Sequence, residues 1–304
     1  MAIGYACLTV NVEHTKLSSC ILKNATPDHL RSLIHQNLTA LNHIIEYNRQ
    51  NQIKLFRISS DIIPFGSHPV NQLNWWKEFQ TELYELGKAI KDANIRVTMH
   101  PGQYTILNSP DSNVVERAVL DLIYHDRFLS SLGMEADSKI ILHIGGAYGD
   151  KKEALKRFHM NFSLLPEGIK NRLILENDER IYNIEEVLQT ARLLGIPAVF
   201  DNLHHSINSP MELKSIPQWI TECAHTWRKL DGKQKIHYSQ QRLDGKPGSH
   251  SETIEVKEFI CFYDQLEDKN IDIMLEVKDK NVSAVKCIQA VEERVLSLSN
   301  LGKD

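Results

Sequence analysis

Six short apolar runs in this chain each end on a residue able to bind a metal ion. They are R-V-T-M-H at His100, I-I-L-H at His143, L-I-L-E at Glu176, A-V-F-D at Asp201, Q-K-I-H at His237 and I-M-L-E at Glu276. One imidazole or carboxylate at a strand tip is commonplace. A series of them, each near one strand–loop–helix unit from the next, describes a barrel whose strand tips converge on several cations. Mixed imidazole and carboxylate donors suit zinc or manganese better than calcium. Cations held this way serve hydrolysis or isomerisation.

The flanking residues extend the pattern. His204 follows Asp201 by three residues, close enough to share its cation if the chain turns, and His205 then points away. Gly145-Gly146 after His143 let backbone approach a substrate closely. In Glu176-Asn177-Asp178-Glu179 only the first acid is placed to face the mouth. The others read as the solvated start of the next helix, where acids favour the dipole. Lys235 shares a strand face with His237. A lysine beside cations requires deprotonation, chemical modification or a bound phosphate; pairing with an acid deeper in the barrel is the other reading. His250 lies in the loop run P-G-S-H-S, and His68, in the loop after the second strand, has the weakest pattern. Pro101-Gly102 turn the chain after His100, so Gln103 and Tyr104 sit over the mouth. An amide beside an aromatic suits a probe of a base stack; a tyrosine packed back on the barrel is the alternative. The other histidines, His125 among them, read as surface or helix residues.

Positioning these groups requires strands. Apolar, often β-branched runs occur at residues 3–10, 53–59, 95–100, 139–144, 172–176, 198–201, 234–238 and 271–277, as in strands covered on both faces. Helical segments lie between them. Thr26-Pro27 starts one, with a stripe of Leu30, Leu33, Ile34, Leu38, Leu41 and Ile45. Trp76, Phe79, Leu83, Leu86 and Ile90 form another stripe. Asn183 and Glu186 make a capping box for a helix closed by Gly195 and Pro197. Val282, Val285, Ile288 and Val295 support the last. Eight alternating strands predict an α/β fold, a single (β/α)8 TIM barrel over residues 1–304 with its site at the C-terminal strand ends. A doubly wound open sheet is the alternative.

The 304 residues are 42% hydrophobic and 24% charged, enough for a large core. A net charge of -4 argues against a general nucleic-acid coat but not against a nuclease, whose site carboxylates are neutralised by cations. Five scattered cysteines suit a reducing cytoplasm. The N-terminus lacks the pattern of a signal peptide, and no stretch is long enough to span a membrane.

Taken in order, R-I-S-S at Arg57, S-H-P at His68, M-H-P-G-Q-Y at His100, L-H-I-G-G at His143, L-E-N-D at Glu176, F-D-N-L-H-H at Asp201, K-I-H-Y-S at His237 and G-S-H at His250 resemble the UV damage endonuclease family. The resemblance runs from the N-terminal G-Y to Glu276. It implies a barrel related to endonuclease IV, with up to three divalent ions, usually manganese, with magnesium, cobalt or zinc as alternatives. The implied ligands are His68, His100, His143, Glu176, Asp201, His204, His237, His250 and Glu276. Glu176, His237 and Lys235 would be catalytic, with Lys235 matching a lysine that can be carboxylated beside the metals. Gln103 and Tyr104 match a pair that probes the duplex opposite the lesion. Tyr5 matches a lesion-pocket tyrosine, and Asn11, at a shifted spacing, stands for the pocket asparagine.

The resemblance also implies ATP-independent incision of damaged double-stranded DNA immediately 5′ to a photoproduct. The expected reaction is in-line attack by water activated at the cluster, leaving a 3′-hydroxyl and a 5′-phosphate. Arg57, Lys246 and Lys278 are candidates for backbone contacts. Three rivals stand beside this reading: an abasic-site endonuclease of the endonuclease IV type, a metal-dependent sugar isomerase or epimerase, and a non-catalytic damage-recognition protein.

Overall fold

The eight apolar runs form eight parallel strands in the computed structural model, which describes residues 1–301. They are β1 (Ile3–Cys7), β2 (Leu55–Ile58), β3 (Arg96–Met99), β4 (Ile140–His143), β5 (Leu173–Glu176), β6 (Ala198–Val199), β7 (Lys235–Tyr238) and β8 (Asp272–Leu275). Their order is β6-β5-β4-β3-β2-β1-β8-β7. A parallel bridge between Asp201 and His237 joins the two ends into a ring. The fold is a TIM barrel, and the open-sheet alternative falls.

Strand parity divides the side chains. Tyr5, Phe56, Val97, Leu142, Leu175, Ile236 and Leu275 belong to one large core between sheet and helices. Two small clusters, Ala6 with Leu55 and Met274, and Ile141 with Ile174 and Val199, fill the lumen. One step further along the same inward face come Arg57, His143, Glu176, Asp201 and His237. At Gly4 a Cβ would lie 1.9 Å from the carbonyl oxygen of Leu55, so only glycine permits this approach of β1 to β2.

The N-terminal face is plugged by Arg96. Its guanidinium donates to the carbonyls of Lys233 (2.6 Å) and Asp231 (2.8 Å) and pairs with Asp272 at 3.2 Å. Lys139 pairs with Asp231 alongside, both fully buried. Charge pairing at this end serves closure of the barrel, leaving the opposite face for chemistry.

The helix starts behave as expected. Thr26 caps the helix Pro27–Gln50, and Asn183 and Glu186 form the reciprocal capping box of the helix Ile184–Leu194, which ends at Gly195 with φ +66°. Two expectations need correction. The first strand stops at Cys7, where φ turns to +71°, rather than running to residue 10. The stripe around Phe79 is interrupted there, giving the helices Trp75–Glu78 and Gln80–Asp92. The last helix, Asn281–Leu301, forms as expected: Ala284, Cys287 and Val291 are buried, Val285 and Ile288 pack against the core, and Val282 and Val295 are exposed.

Candidate metal centre and DNA surface

Register brings the ligand-type residues together. His143 and Glu176 are paired neighbours on β4 and β5, and Asp201 and His237 are bridged neighbours where β6 meets β7. Glu176 lies at the middle. Its Oε1 is 2.7 Å from His237 Nδ1, and its Oε2 is 3.1 Å from His100 Nε2 and 3.7 Å from His143 Nε2. Two compact donor groups result, His100 with His143 and Glu176, and Glu176 with Asp201, His237 and Glu276; within each, the donor atoms lie within 4.8 Å of one another. Glu176 belongs to both, so it could serve a cation in either group.

His204 and His250 border these groups. His204 Nδ1 is 3.7 Å from Glu176 Oε1, and His250 Nε2 is 3.7 Å from Glu276 Oε2. Backbone contacts set two of the rings. His100 Nδ1 lies 3.1 Å from its neighbour's carbonyl at Pro101, and His204 Nδ1 lies 2.9 Å from the carbonyl of Asn177. Donation from Nδ1–H there leaves each Nε2 free to ligate, the arrangement usual in metal-binding histidines. His205 packs between Phe200 and Trp219, away from the cluster.

The donor set is electrostatically incomplete without cations. Three carboxylates are crowded at one end of the lumen, and Arg57 is the fixed cation beside them, pairing with Glu276 at 2.6 Å and touching His237 Nε2 at 3.0 Å. Among the described residues, Asp201 Oδ2, His143 Nδ1 and Lys235 Nζ are buried without a hydrogen-bond partner. Such atoms cost free energy unless a ligand completes them. Burial pushes the Asp201 carboxyl up to about 7, against the pull of His204. Burial lowers His237 to about 4, so its imidazole is neutral and ready to ligate. Burial opposes ionisation of Glu276, but the Arg57 guanidinium holds its carboxyl below the usual range. The residues present fit divalent cations; Asp201 Oδ1 is used as the cap of the helix Asn202–Ile207, leaving Oδ2 to coordinate.

Lys235 is fully buried two residues below His237. Burial, with Arg57 and Arg96 nearby, depresses its ammonium well below the ordinary lysine value. No carboxylate is within hydrogen-bond reach of it among the described residues, so it does not pair with an acid.

Several expected site residues lie elsewhere. His68 is exposed on its loop, where Nδ1 accepts the Val70 N–H at 3.1 Å, and it lines a cavity of about 760 Å³ beside Tyr104 rather than the cluster. Tyr5 is fully buried against Phe56, its hydroxyl bonded to Thr9 (2.6 Å) and Asn48 (2.9 Å). Strand parity turns it to the helix layer, so it offers DNA no surface. Asn11 is exposed in a left-handed turn at φ +58°. Arg57 is inside the barrel and not on a DNA-facing surface. Lys278 is paired with Glu252 at 2.9 Å. Lys246 is exposed in the loop that carries His250.

Gln103 and Tyr104 do stand out from the mouth. Tyr104 is 70% exposed, and the loop is anchored by Thr105, whose hydroxyl donates to Asp121 at 2.6 Å. Asp121 also accepts from Ser67 at 2.8 Å, tying the loop of His68 to the loop of Tyr104.

Two residues escaped sequence reasoning. Asn177 is fully buried, not solvated: its side chain accepts the Asp201 N–H at 2.9 Å and donates to the Asp201 carbonyl at 3.1 Å. It therefore fixes both Asp201 and, through its own carbonyl, His204. His125 is buried on the helix Ser112–Ser131, with Nε2 2.8 Å from Ser60 Oγ, which lies 3.0 Å from the His100 carbonyl. An asparagine directly after a ligand glutamate is the one signal that could have marked Asn177.

Comparison with known proteins decides the family. The family model described as "UV-endonuclease UvdE" matches residues 1–300. The chain belongs to this UV-endonuclease family. A UV DNA damage endonuclease of Clostridium perfringens (strain 13 / Type A) is 45% identical, the match covering 96% of this chain and 71% of the relative. The structure described as SacUVDE superposes with a TM-score of 0.91 at 36% identity, over 96% of this chain and 98% of that one. Endonuclease IV from Thermus thermophilus superposes at a TM-score of 0.58 and 12% identity, over 95% and 99% of the two chains, which speaks to the fold alone. This UvdE-family protein is an endonuclease with a UV-damage role, and DNA is its substrate. No described helix is long and apolar enough to cross a membrane.

Proposed function

We propose that this endonuclease cuts damaged duplex DNA immediately 5′ to cyclobutane dimers and 6-4 photoproducts, without ATP, leaving a 3′-hydroxyl and a 5′-phosphate. It would do so in the cytoplasm, at the nucleoid while on DNA. The observation that carries the metal-dependent reading is Glu176, shared by two groups of converging donors. Divalent ions bound there, manganese as the family resemblance implies, would neutralise charge at the phosphate and make water more acidic.

The chain's own residues have distinct tasks. Glu176, Asp201, Glu276, His100, His143 and His237 hold the ions, and His204 and His250 extend the set at the rim. Arg57 keeps Glu276 ionised and aimed. Asn177 fixes Asp201 and the ring of His204. The buried neutral amine of Lys235 suits carboxylation: its nitrogen bonds to carbon dioxide and releases a proton, giving an acidic side chain below His237. Gln103 and Tyr104 probe the stack opposite the lesion, while the damaged dinucleotide turns out towards the mouth. Unstacking costs least where damage has already weakened pairing. Lys246 serves the phosphate backbone, a salt-dependent contact.

The deciding experiment supplies manganese and compares irradiated, abasic and intact duplexes with a panel of ketoses, mapping the ends of any cut strand. Incision 5′ to photoproducts is expected. Cutting confined to abasic sites, or turnover of a ketose, overturns the proposal.

A further inference from the structure

Two adjacent loops at the barrel mouth repeat one arrangement. After β3, His100 is followed by Gly102 and the exposed Tyr104. After β4, His143 is followed by Gly146 and Tyr148, which is 45% exposed. In both loops the tyrosine ring lies on the glycine two residues before it. A Cβ on Gly102 would stand 2.4 Å from the Tyr104 ring, and one on Gly146 2.9 Å from the Tyr148 ring. Each glycine is thus the seat of an aromatic side chain.

Tyr148 is held in a costly backbone conformation. Its φ is +51°, in the left-handed region that a bulky side chain adopts only under strain. Asparagine or glycine would relieve that cost. The Arg157 guanidinium lies 5.6 Å from the centre of the ring, and its Nε donates to the Asn108 carbonyl at 2.9 Å. Asn108 is buried in the segment that carries Tyr104, and its Nδ2 donates to the carbonyl of Gly146 at 2.7 Å. One buried amide therefore joins the two tyrosine loops into a single rigid rim.

We propose that Tyr148 is a second base-stacking residue, engaging the same duplex as Tyr104. This rests on the nuclease reading above. Every base has a π-face, so a rigid exposed ring gives grip without sequence preference. Arg157 beside it supplies a cation for the neighbouring phosphate. A tyrosine serving only to cover Gly146 would need neither its 45% exposure nor the left-handed backbone.

The test uses manganese-loaded protein and a photoproduct duplex with an uncleavable linkage on the 5′ side of the lesion, read by fluorescence anisotropy. Incision of the ordinary duplex and the melting temperature are measured in parallel. Tyr148→Ala should weaken binding about tenfold, as loss of one stack implies, and Tyr148→Phe should stay within about twofold of wild type. Tyr148→Asn should bind as weakly as Tyr148→Ala while melting no lower than wild type. If Tyr148→Ala and Tyr148→Asn bind like wild type while Tyr104→Ala does not, the inference fails and the nuclease reading stands. If Tyr148→Phe fails to rescue and every variant melts early, the residue is structural and the inference fails. If wild-type protein neither binds nor cuts irradiated duplex, the nuclease reading falls and takes this inference with it.

Discussion

Asp201 and His237 are joined by the parallel bridge that closes the barrel. The His237 N–H donates to the carbonyl of Phe200 at 2.9 Å, so the last link of the ring is made beside two candidate ligands. Neighbours in register present their side chains to the same face. The spacing of Asp201 and His237, like that of His143 and Glu176, is thus a property of the sheet and not of a loop. A slip of one residue would turn these donors out to the helices.

The first consequence concerns Glu176. Glu176→Gln keeps the shape and removes the charge shared by both donor groups. Loss of a group outside the ligands commonly costs about 10–100-fold in metal affinity or activity, so this change should cost more than about 100-fold. Elemental analysis after manganese loading and nicking of irradiated plasmid measure it. Wild-type nicking would remove Glu176 from the metal site.

The exposed probe separates from the metals. Gln103→Ala combined with Tyr104→Ala should weaken binding to damaged duplex by about tenfold or more, at one stack per ring, and leave metal content unchanged. Titration of labelled duplex and metal analysis of the same sample test both halves. Unchanged affinity would end the probing role.

Arg57 is the counter-charge of Glu276 in a buried place. Removing one partner of such a pair leaves the other uncompensated, at a cost of about 3–5 kcal/mol. Arg57→Met should lower the stability of metal-free protein by about that amount in urea unfolding, and adding Glu276→Gln should recover part of it. Additive losses would show that the pair is not coupled.

His125 gives a pH dependence. Burial lowers its pKa below the unfolded value of 6.5. Its contribution to stability is therefore whole above 6.5 and is lost as the pH falls towards the folded value. His125→Gln should cost more stability at about pH 7.5 than at about pH 5.5, measured as the difference between two sets of urea melts. An equal cost at both pH values would show that His125 carries no linked proton.

The strand tips were legible because two demands coincide there: an apolar run for a sheet covered on both faces, and a donor at its end. Glu176, Asp201 and His237 met both. Arg57 did not advertise its place, since an arginine after an apolar strand looks the same on a surface as in a lumen. Tyr5 sits one position out of phase with the inward face, so motif resemblance suggested a pocket where parity puts a core. Asn177 and His125 depend on which element comes alongside, and that is settled only when the ring forms. His68 belongs to a loop, where neither parity nor periodicity constrains position.

The strand order carries a consequence for biosynthesis. β1 is hydrogen-bonded to β2 on one side and to β8 on the other. The strand that leaves the ribosome first must wait for the one that leaves last. Until then the nascent sheet has a raw edge, and pairing across so much sequence is slow. Fragments that stop short of β8 should therefore aggregate more readily than the full chain, because β1 keeps an unpaired edge.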